Sequence, residues 1–434
     1  MLGAMPEPDA SSRRITMAVS LGTFIAGYDS LLYGYFASIL ATQFFPRSDP
    51  TAALLNTFLI FAVGFAVRPL GGIVFGHIGD RLGRQSALVG SIMVMALATL
   101  GIGLLPTYHS VGAWGPALLV VCRLLQGFAV GGEYVGANVL IVEHATSGRT
   151  GQRISANQVA GYLGISAGAA TGLVMARTLT TADLSAWGWR LPFLAAVPLG
   201  LIGMYLRWRI PDSPAFASGR IERHAFPLAV AFRRVRGGML IYGGWLAMVG
   251  LGGYLLHGYL ASYLIRVVGL TPAQAFGANL VTVVSLAVGA LAGGYLVDRY
   301  EPAAVGTAAA VGVAVLAVPG FLVIQRGTVV AAALGQIPLA LCLGVAATFG
   351  ATLMASLFPV DVRYTASAFA HNVTVTLFGG TAPYVSTWLI AHTGSPTAPA
   401  WYLTGMALVG ISVGGIVLAR SRVGVNAVAQ PRPR

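Results

Sequence analysis

Long apolar runs, rather than alternation of apolar and polar positions, dominate this chain. Twelve of them lie near residues 16–44, 52–76, 86–106, 115–143, 152–180, 187–208, 238–266, 272–297, 303–324, 328–357, 364–392 and 397–420. A helix needs about 20 apolar residues to cross a bilayer, so each run predicts one spanning helix, the longer ones tilted or protruding. One hydrophilic stretch between runs is substantial, residues 209–237, which carries Arg220, Arg223, Arg233, Arg234 and Arg236. It divides the spans six and six. The expected layout is an all-α membrane protein. It has a tail at 1–15, a six-helix bundle at 16–208, a central loop at 209–237, a second bundle at 238–420 and a tail at 421–434.

Composition strengthens that reading. Of 434 residues, 56% are hydrophobic and 9% charged, against roughly 25% charged in soluble domains. Mean hydropathy is +0.78. A soluble fold of this size has no means of hiding so much apolar surface. Disulfide scaffolds, nucleic-acid-binding domains and cytosolic enzymes are excluded. Cys122 and Cys342 both fall inside apolar runs, as small buried hydrophobes do, and neither a disulfide framework nor a metal-ligand spacing exists. Residues 1–14 are polar and lack a signal peptide's apolar core and cleavage site, so the first run is expected to remain as a helix.

The net charge of +13 comes entirely from arginine on the basic side, since the chain has no lysine. The arginines flank the apolar runs, which points to membrane topology rather than nucleic acid. With both ends in the cytosol, 19 arginines fall on the inner side and 5 on the outer, while Arg68 and Arg123 lie within spans. The positive-inside rule therefore puts both termini in the cytosol of an inner, plasma membrane.

A repeat supports the two halves. Gly76-His77-Ile78-Gly79-Asp80-Arg81 follows span 2 and Gly294-Tyr295-Leu296-Val297-Asp298-Arg299 follows span 8, both G-x-x-x-D-R, 218 residues apart. Extended to Gly83, Arg84 and Gln85, the first copy resembles the loop signature of the major facilitator superfamily, with Gln85 where a basic residue is usual. Arg68-Pro69-Leu70-Gly71-Gly72, Arg123-Leu124-Leu125-Gln126-Gly127, Trp187-Gly188-Trp189-Arg190 and Pro211-Asp212-Ser213-Pro214 resemble its metabolite:proton symporter family. So do Phe358-Pro359 through Arg363-Tyr364 and Gly379-Gly380 with Pro383. The resemblance covers nearly the whole chain. It implies the major facilitator fold, twelve transmembrane helices in two pseudo-symmetric six-helix bundles.

Span 1 departs from the family. Where a Glu-Trp pair usually precedes the Tyr/Phe-Asp pair, this chain has Ala26-Gly27-Tyr28-Asp29, a stretch also similar to the aromatic-acid:proton symporters. The departure weakens any transfer of substrate.

Ionisable side chains at bilayer depth are costly, so each is a functional candidate. Asp29 lies 13 residues into span 1, about 20 Å along the axis and hence near mid-membrane. It is expected to couple transport to protons, the alternative being a static partner for an arginine. Arg123, Gln126, Val130 and Glu133 share one helical face of span 4. Arg123 suits a carboxylate, which its fork binds through two parallel bonds. Glu133 reads either as a second coupling acid or as a structural partner, and Arg68 either as a partner near a gate or as a substrate contact. Tyr28, Tyr33, Asn157, Gln158, Tyr254, His257, His371 and Asn372 are expected to line a cavity or to be satisfied by packing. Gating is expected from Gly76, Asp80, Arg81, Gly83, Arg84, Glu143, Arg149, Asp298 and Arg299. Asp80 would meet a helix N-terminus, and the bridges would break and reform in each cycle; static anchoring is the alternative.

The resulting expectation is a proton-coupled symporter that imports a small, carboxylate-bearing organic acid or zwitterion by alternating access. It would be a monomer driven by the proton gradient, with no cofactor, metal or nucleic-acid partner. The alternative is proton antiport of a natural product or drug. Span 5 has glycines from Gly161 to Gly172 but no proline, unlike the Gly-Pro-rich span 5 of drug antiporters. No nucleophile–base constellation supports an enzyme, and a receptor is not expected, since neither the central loop nor the 14-residue tail is large enough for an output domain.

Overall fold

In a computed structural model of the chain, residues 10–45, 57, 59–60, 63–145, 148–210, 212 and 224–429 are described. All regular structure among them is helical. Most of the expected start of span 2, most of the central stretch with Arg220 and Arg223, and the ends of both tails lie outside the described residues.

Ten described helices are long and apolar enough to cross a membrane, matching ten of the twelve apolar runs. Span 1 is α1 (Ala10–Tyr35), extended by α2 (Ala37–Phe44). The described end of span 2 is α3 (Arg68–Arg81), and spans 3 to 6 contain α4 (Arg84–Leu104), α5 (Trp114–His144), α6 (Thr150–Thr178) and α7 (Arg190–Trp208). The central stretch is not all loop, because Pro227–Arg234 forms a helix, α8. Pro227 suits its first turn, where a missing N–H is harmless, Ala231 is buried, and the ring of Phe232 meets Phe369 at 5.4 Å.

Span 7 runs through α9 (Arg236–Gly253), a π-helical turn (Tyr254–Tyr259) and α10 (Leu260–Arg266). Then follow α11 (Pro272–Arg299), α12 (Pro302–Ile324) and α13 (Val329–Leu357). Span 11, expected as one helix, is broken: α14 (Arg363–Thr374), a π-helical turn (Val375–Gly380) and α15 (Ala382–Thr393). The glycine pair and Pro383 explain the break, since proline cannot donate to the preceding turn and restarts a helix from its first positions. The last helix, α16 (Ala398–Ala429), continues past the expected end near 420.

The chain forms two compact units. One holds residues 1–146, 156–236 and 358–376, the other 147–155, 237–357 and 377–434. In the first unit small residues let backbones approach. A Cβ on Gly127 would overlap the carbonyl of Gly64, and one on Gly131 the carbonyl of Arg68, the close contact typical of membrane helices. Both ends of α4 are capped from elsewhere in the sequence. Asp212 accepts the N–H of Arg84 at 2.9 Å, and Arg190 donates to the carbonyls of Gly103 and Leu105 at 3.0 and 2.7 Å. An anion at the N-terminus and a cation at the C-terminus both suit the helix dipole. In the second unit Trp245 donates to Ala346 O at 3.0 Å and packs edge-on against Phe349. There Thr271 and Gln274 form a capping box on α11.

Candidate functional site

Three buried carboxylate networks lie among the described residues of the first unit, and they differ in which donors reach the carboxylates. The first is at Asp29, in the last third of α1. Thr99 of α4 donates its hydroxyl to Asp29 Oδ1 at 2.6 Å. Gln126 of α5 donates its amide nitrogen to both carboxylate oxygens at 3.3 and 3.2 Å, and to Thr99 Oγ1 at 2.7 Å. The other end of that amide accepts from Arg123 Nη1 at 2.8 Å. Arg123 lies over the ring of Tyr33, 4.4 Å from its centroid, and the Tyr33 hydroxyl donates to Thr57 O at 3.1 Å. Asp29, Thr99, Arg123 and Gln126 are all buried. The helical spacing that placed Gln126 beside Arg123 is thus realised as a hydrogen bond, and the cation reaches Asp29 at one remove, through an amide. Tyr28, beside Asp29, directs its hydroxyl to Pro192 O at 3.4 Å.

The second network surrounds Glu133, further along α5. Both its oxygens receive the guanidinium of Arg207, and Ser91 donates to it at 2.8 Å. Acid and base are each about 1% exposed. Removing one member of such a buried pair costs about 3–5 kcal/mol, because the other charge is left uncompensated. The structure therefore commits Glu133 to Arg207, in the last turn of α7.

The third network is at the loop signature. Asp80 forms a buried ion pair with Arg84 and accepts the backbone N–H groups of Tyr364 and Thr365 at 3.3 and 2.8 Å. Those groups open α14, so the carboxylate sits on a helix N-terminus, where the dipole favours it. Arg84 also lays its fork on Glu143, both bonds 3.2 Å, and donates to Val360 O at 2.7 Å. Arg363 adds a third contact to Glu143 at 3.3 Å. Gly76 and Gly79 supply the close approach, since a Cβ there would strike Thr365 and the ring of Tyr364. Gly83, at φ 115°, makes the turn into α4, a conformation few other residues adopt. Gln85, the departure from the family signature, donates to the carbonyls of Arg207, Trp208 and Ile210 at 3.2, 2.8 and 2.7 Å. It closes the end of α7 without charge. Arg81 and Arg149 are exposed.

The repeat behaves alike in the second unit. Asp298 accepts the N–H groups of Gly151 and Gln152 at 2.7 and 2.9 Å, at the start of α6, and Gly294 lies against Gly151 O and Ser155. Arg299 is exposed and donates to the hydroxyl of Tyr295 at 2.7 Å. In both copies glycine admits a neighbouring helix start and aspartate, one turn on, caps it.

The remaining candidates divide. Tyr134 and His371 stack with centroids 5.1 Å apart, and Gln158 donates to the Tyr134 hydroxyl at 3.4 Å. Asn157 donates to Asn138 at 3.1 Å. Asn372 ties α14 to α5 through Gly131 O at 2.6 Å. Arg68 lies over Phe65 at 3.8 Å. Tyr254 and His257 belong to the second unit, in the π-helical turn of span 7, with ring centroids 5.1 Å apart. Sequence reasoning missed Thr99, Tyr134 and Asn138, whose residue types carry no signal in a helix, and the role of Arg207. An arginine near the inner end of the run 187–208, with an acid inside another run of the same half, was the available clue to that pair.

The chain is similar to known proteins along nearly its whole length. A family model described as "Sugar (and other) transporter" matches residues 15–225. The proline/betaine transporter of Escherichia coli (strain K12) is 32% identical over 424 residues, 94% of this chain and 83% of that protein. The glycine betaine/proline/ectoine/pipecolic acid transporter OusA of Dickeya dadantii (strain 3937) is 33% identical over 425 residues, again 94% and 83%. Among solved structures, the proton:xylose symporter XylE bound to 6-bromo-6-deoxy-D-glucose superposes with a TM-score of 0.78, 18% identity and coverage of 93% of this chain and 95% of that one. At that identity the likeness shows the fold alone.

Proposed function

The chain belongs to the major facilitator superfamily of membrane transporters and is not an enzyme, and from that premise we propose that it imports a small carboxylate-bearing zwitterion together with protons. The observation that carries this reading is the chain of contacts from Arg123 through Gln126 to Asp29. Arg123 is the one member that keeps its charge at any working pH, and its fork suits a substrate carboxylate. Gln126 accepts from it now. A carboxylate arriving at Arg123 competes for the same N–H, frees the amide oxygen and so loosens the amide nitrogen's hold on Asp29. Substrate occupancy and the charge on Asp29 are linked in this way through one side chain. The names of the relatives, which carry proline, betaine and ectoine, support a zwitterion over a dicarboxylate.

With both termini cytosolic, as the arginine distribution favours, the Asp80–Arg84–Glu143–Arg363 network lies at the cytosolic end and serves as a gate. Opening that end requires Asp80 to release the start of α14, and closing it restores the cap. Glu133, held by Arg207, keeps the bundle together beneath it.

The test is uptake into proteoliposomes with an imposed pH gradient, inside alkaline. Labelled proline, glycine betaine and ectoine are expected to accumulate, with citrate and succinate excluded. Accumulation of the dicarboxylates alone would reject the zwitterion, and uptake indifferent to the gradient would reject proton coupling.

A further inference from the structure

With Thr99 donating, the hydrogen bonds at Asp29 suit its ionised form. Thr99 and Gln126 are both donating to it, at 2.6 Å and at 3.2 and 3.3 Å. A carboxylate accepts all of these; a protonated carboxyl needs an acceptor for its own hydrogen. If Asp29 takes up a proton, one neighbour must change from donor to acceptor.

Gln126 is poorly placed to do so. Its amide oxygen already accepts from Arg123 at 2.8 Å, and turning the amide over would aim its N–H groups at the guanidinium. Thr99 is different. A hydroxyl has one hydrogen and two lone pairs, and rotation about a single bond exchanges their directions. In a helix it has a second acceptor within reach, the carbonyl four residues back, here that of Met95. The heavy atoms need not move. Other charged or titratable groups near the carboxylate are Arg123 on α5 and Tyr28 and Tyr33 on α1. The cavity beside Asp29 is lined from α4 and α7 by Ile92, Met95, Ala96, Thr99, Ala196 and Gly200, and α6 meets α1 there at Gly161 and Gly164; none of these titrates. Among the described polar groups around this carboxylate, Thr99 alone can serve both of its charge states by rotating one bond.

We propose that Thr99 is the positioning residue that lets Asp29 change protonation state, by donating its hydroxyl to the carboxylate and accepting from the protonated carboxyl. This rests on the coupling role proposed for Asp29. The step is one proton transfer. A hydronium ion gives up a proton, the new O–H bond forms at Asp29 Oδ1, and water leaves; nothing is oxidised or reduced. The Thr99 hydrogen swings to the Met95 carbonyl as the bond forms and swings back when Asp29 releases the proton.

Thr99→Val keeps the shape and removes the hydroxyl, and Thr99→Ser keeps the hydroxyl. Each is reconstituted beside wild type and Asp29→Asn, and two quantities are measured with labelled proline or glycine betaine: exchange at equal pH on both sides, and accumulation driven by a pH gradient over a series of pH values. Thr99→Ser is expected to follow wild type in both. In Thr99→Val gradient-driven accumulation is expected to fall about tenfold relative to the variant's own exchange rate, with a displaced pH profile, the size of effect a charge-assisted hydrogen bond supports. Thr99→Ala removes the same hydroxyl with less bulk and gives the same reading if valine is not accommodated. Thr99→Val or Thr99→Ala with a wild-type pH profile and accumulation, while Asp29→Asn loses accumulation, overturns the role of Thr99 and leaves that of Asp29. Wild type indifferent to the gradient, or Asp29→Asn with full accumulation, overturns both.

Discussion

Asp29 and Asp80 are both buried carboxylates of the first unit, and they are held in opposite ways. Asp80 has a guanidinium on one side and the N-terminus of α14 on the other. Asp29 has neutral donors, with its cation an amide away. A carboxylate between a guanidinium and a helix N-terminus is pinned as an anion, and what it can change is its partner. A carboxylate among neutral donors is free to change its charge. The first arrangement suits a latch and the second a proton carrier, and one bundle holds both.

That contrast breaks most plainly at Arg123. Arg123→Ala is expected to weaken carboxylate-bearing substrates most, and Arg123→Lys, which keeps the charge but loses the planar fork, by about 1–3 kcal/mol. Binding to purified protein, measured by calorimetry, checks both. Unchanged affinity in either variant would separate Arg123 from the substrate.

Asp80→Asn tests the latch. It removes the anion from α14 and from Arg84 while keeping the shape, a loss of about 1.5–3 kcal/mol for charge-assisted bonds. The balance between open and closed cytosolic ends is expected to move by about tenfold to a hundredfold, with substrate affinity changed little. Accessibility of a cysteine introduced at Thr365 reports that balance, and unaltered accessibility would make the network a static anchor. Asp298→Asn is expected to do the same more weakly. Asp298 caps α6 through two backbone N–H groups and has no counterpart of the Arg84–Glu143–Arg363 cluster among the described residues. Equal effects from the two substitutions would mean that the cap, not the cation cluster, sets the strength of the latch.

Most of the fold was legible because apolar runs of membrane length are hard to mistake. The breaks in span 11 were also written, in Gly379, Gly380 and Pro383, but a run read for hydrophobicity alone passes over them. The site was legible where charge announced it. Asp29, Arg123, Asp80, Arg84 and Glu143 are costly in their surroundings and stand out for that reason. Glu133 stood out equally, and its tie to Arg207 depends on which faces of α5 and α7 meet, a tertiary fact that spacing along one helix does not encode. Thr99 was invisible for the opposite reason. A threonine inside an apolar helix ordinarily bonds its own backbone, and only the approach of α1 turns its hydroxyl to a carboxylate.

The central claim is that the charge on Asp29 changes during transport, and proton flux measures it directly. Proteoliposomes carrying a pH-sensitive dye are given glycine betaine or proline with no imposed gradient, and the pH of the lumen is followed. Wild type is expected to acidify the lumen as solute enters, while Asp29→Asn, still folded and still exchanging solute, is expected to leave it unchanged. Acidification by Asp29→Asn equal to that of wild type would contradict the claim.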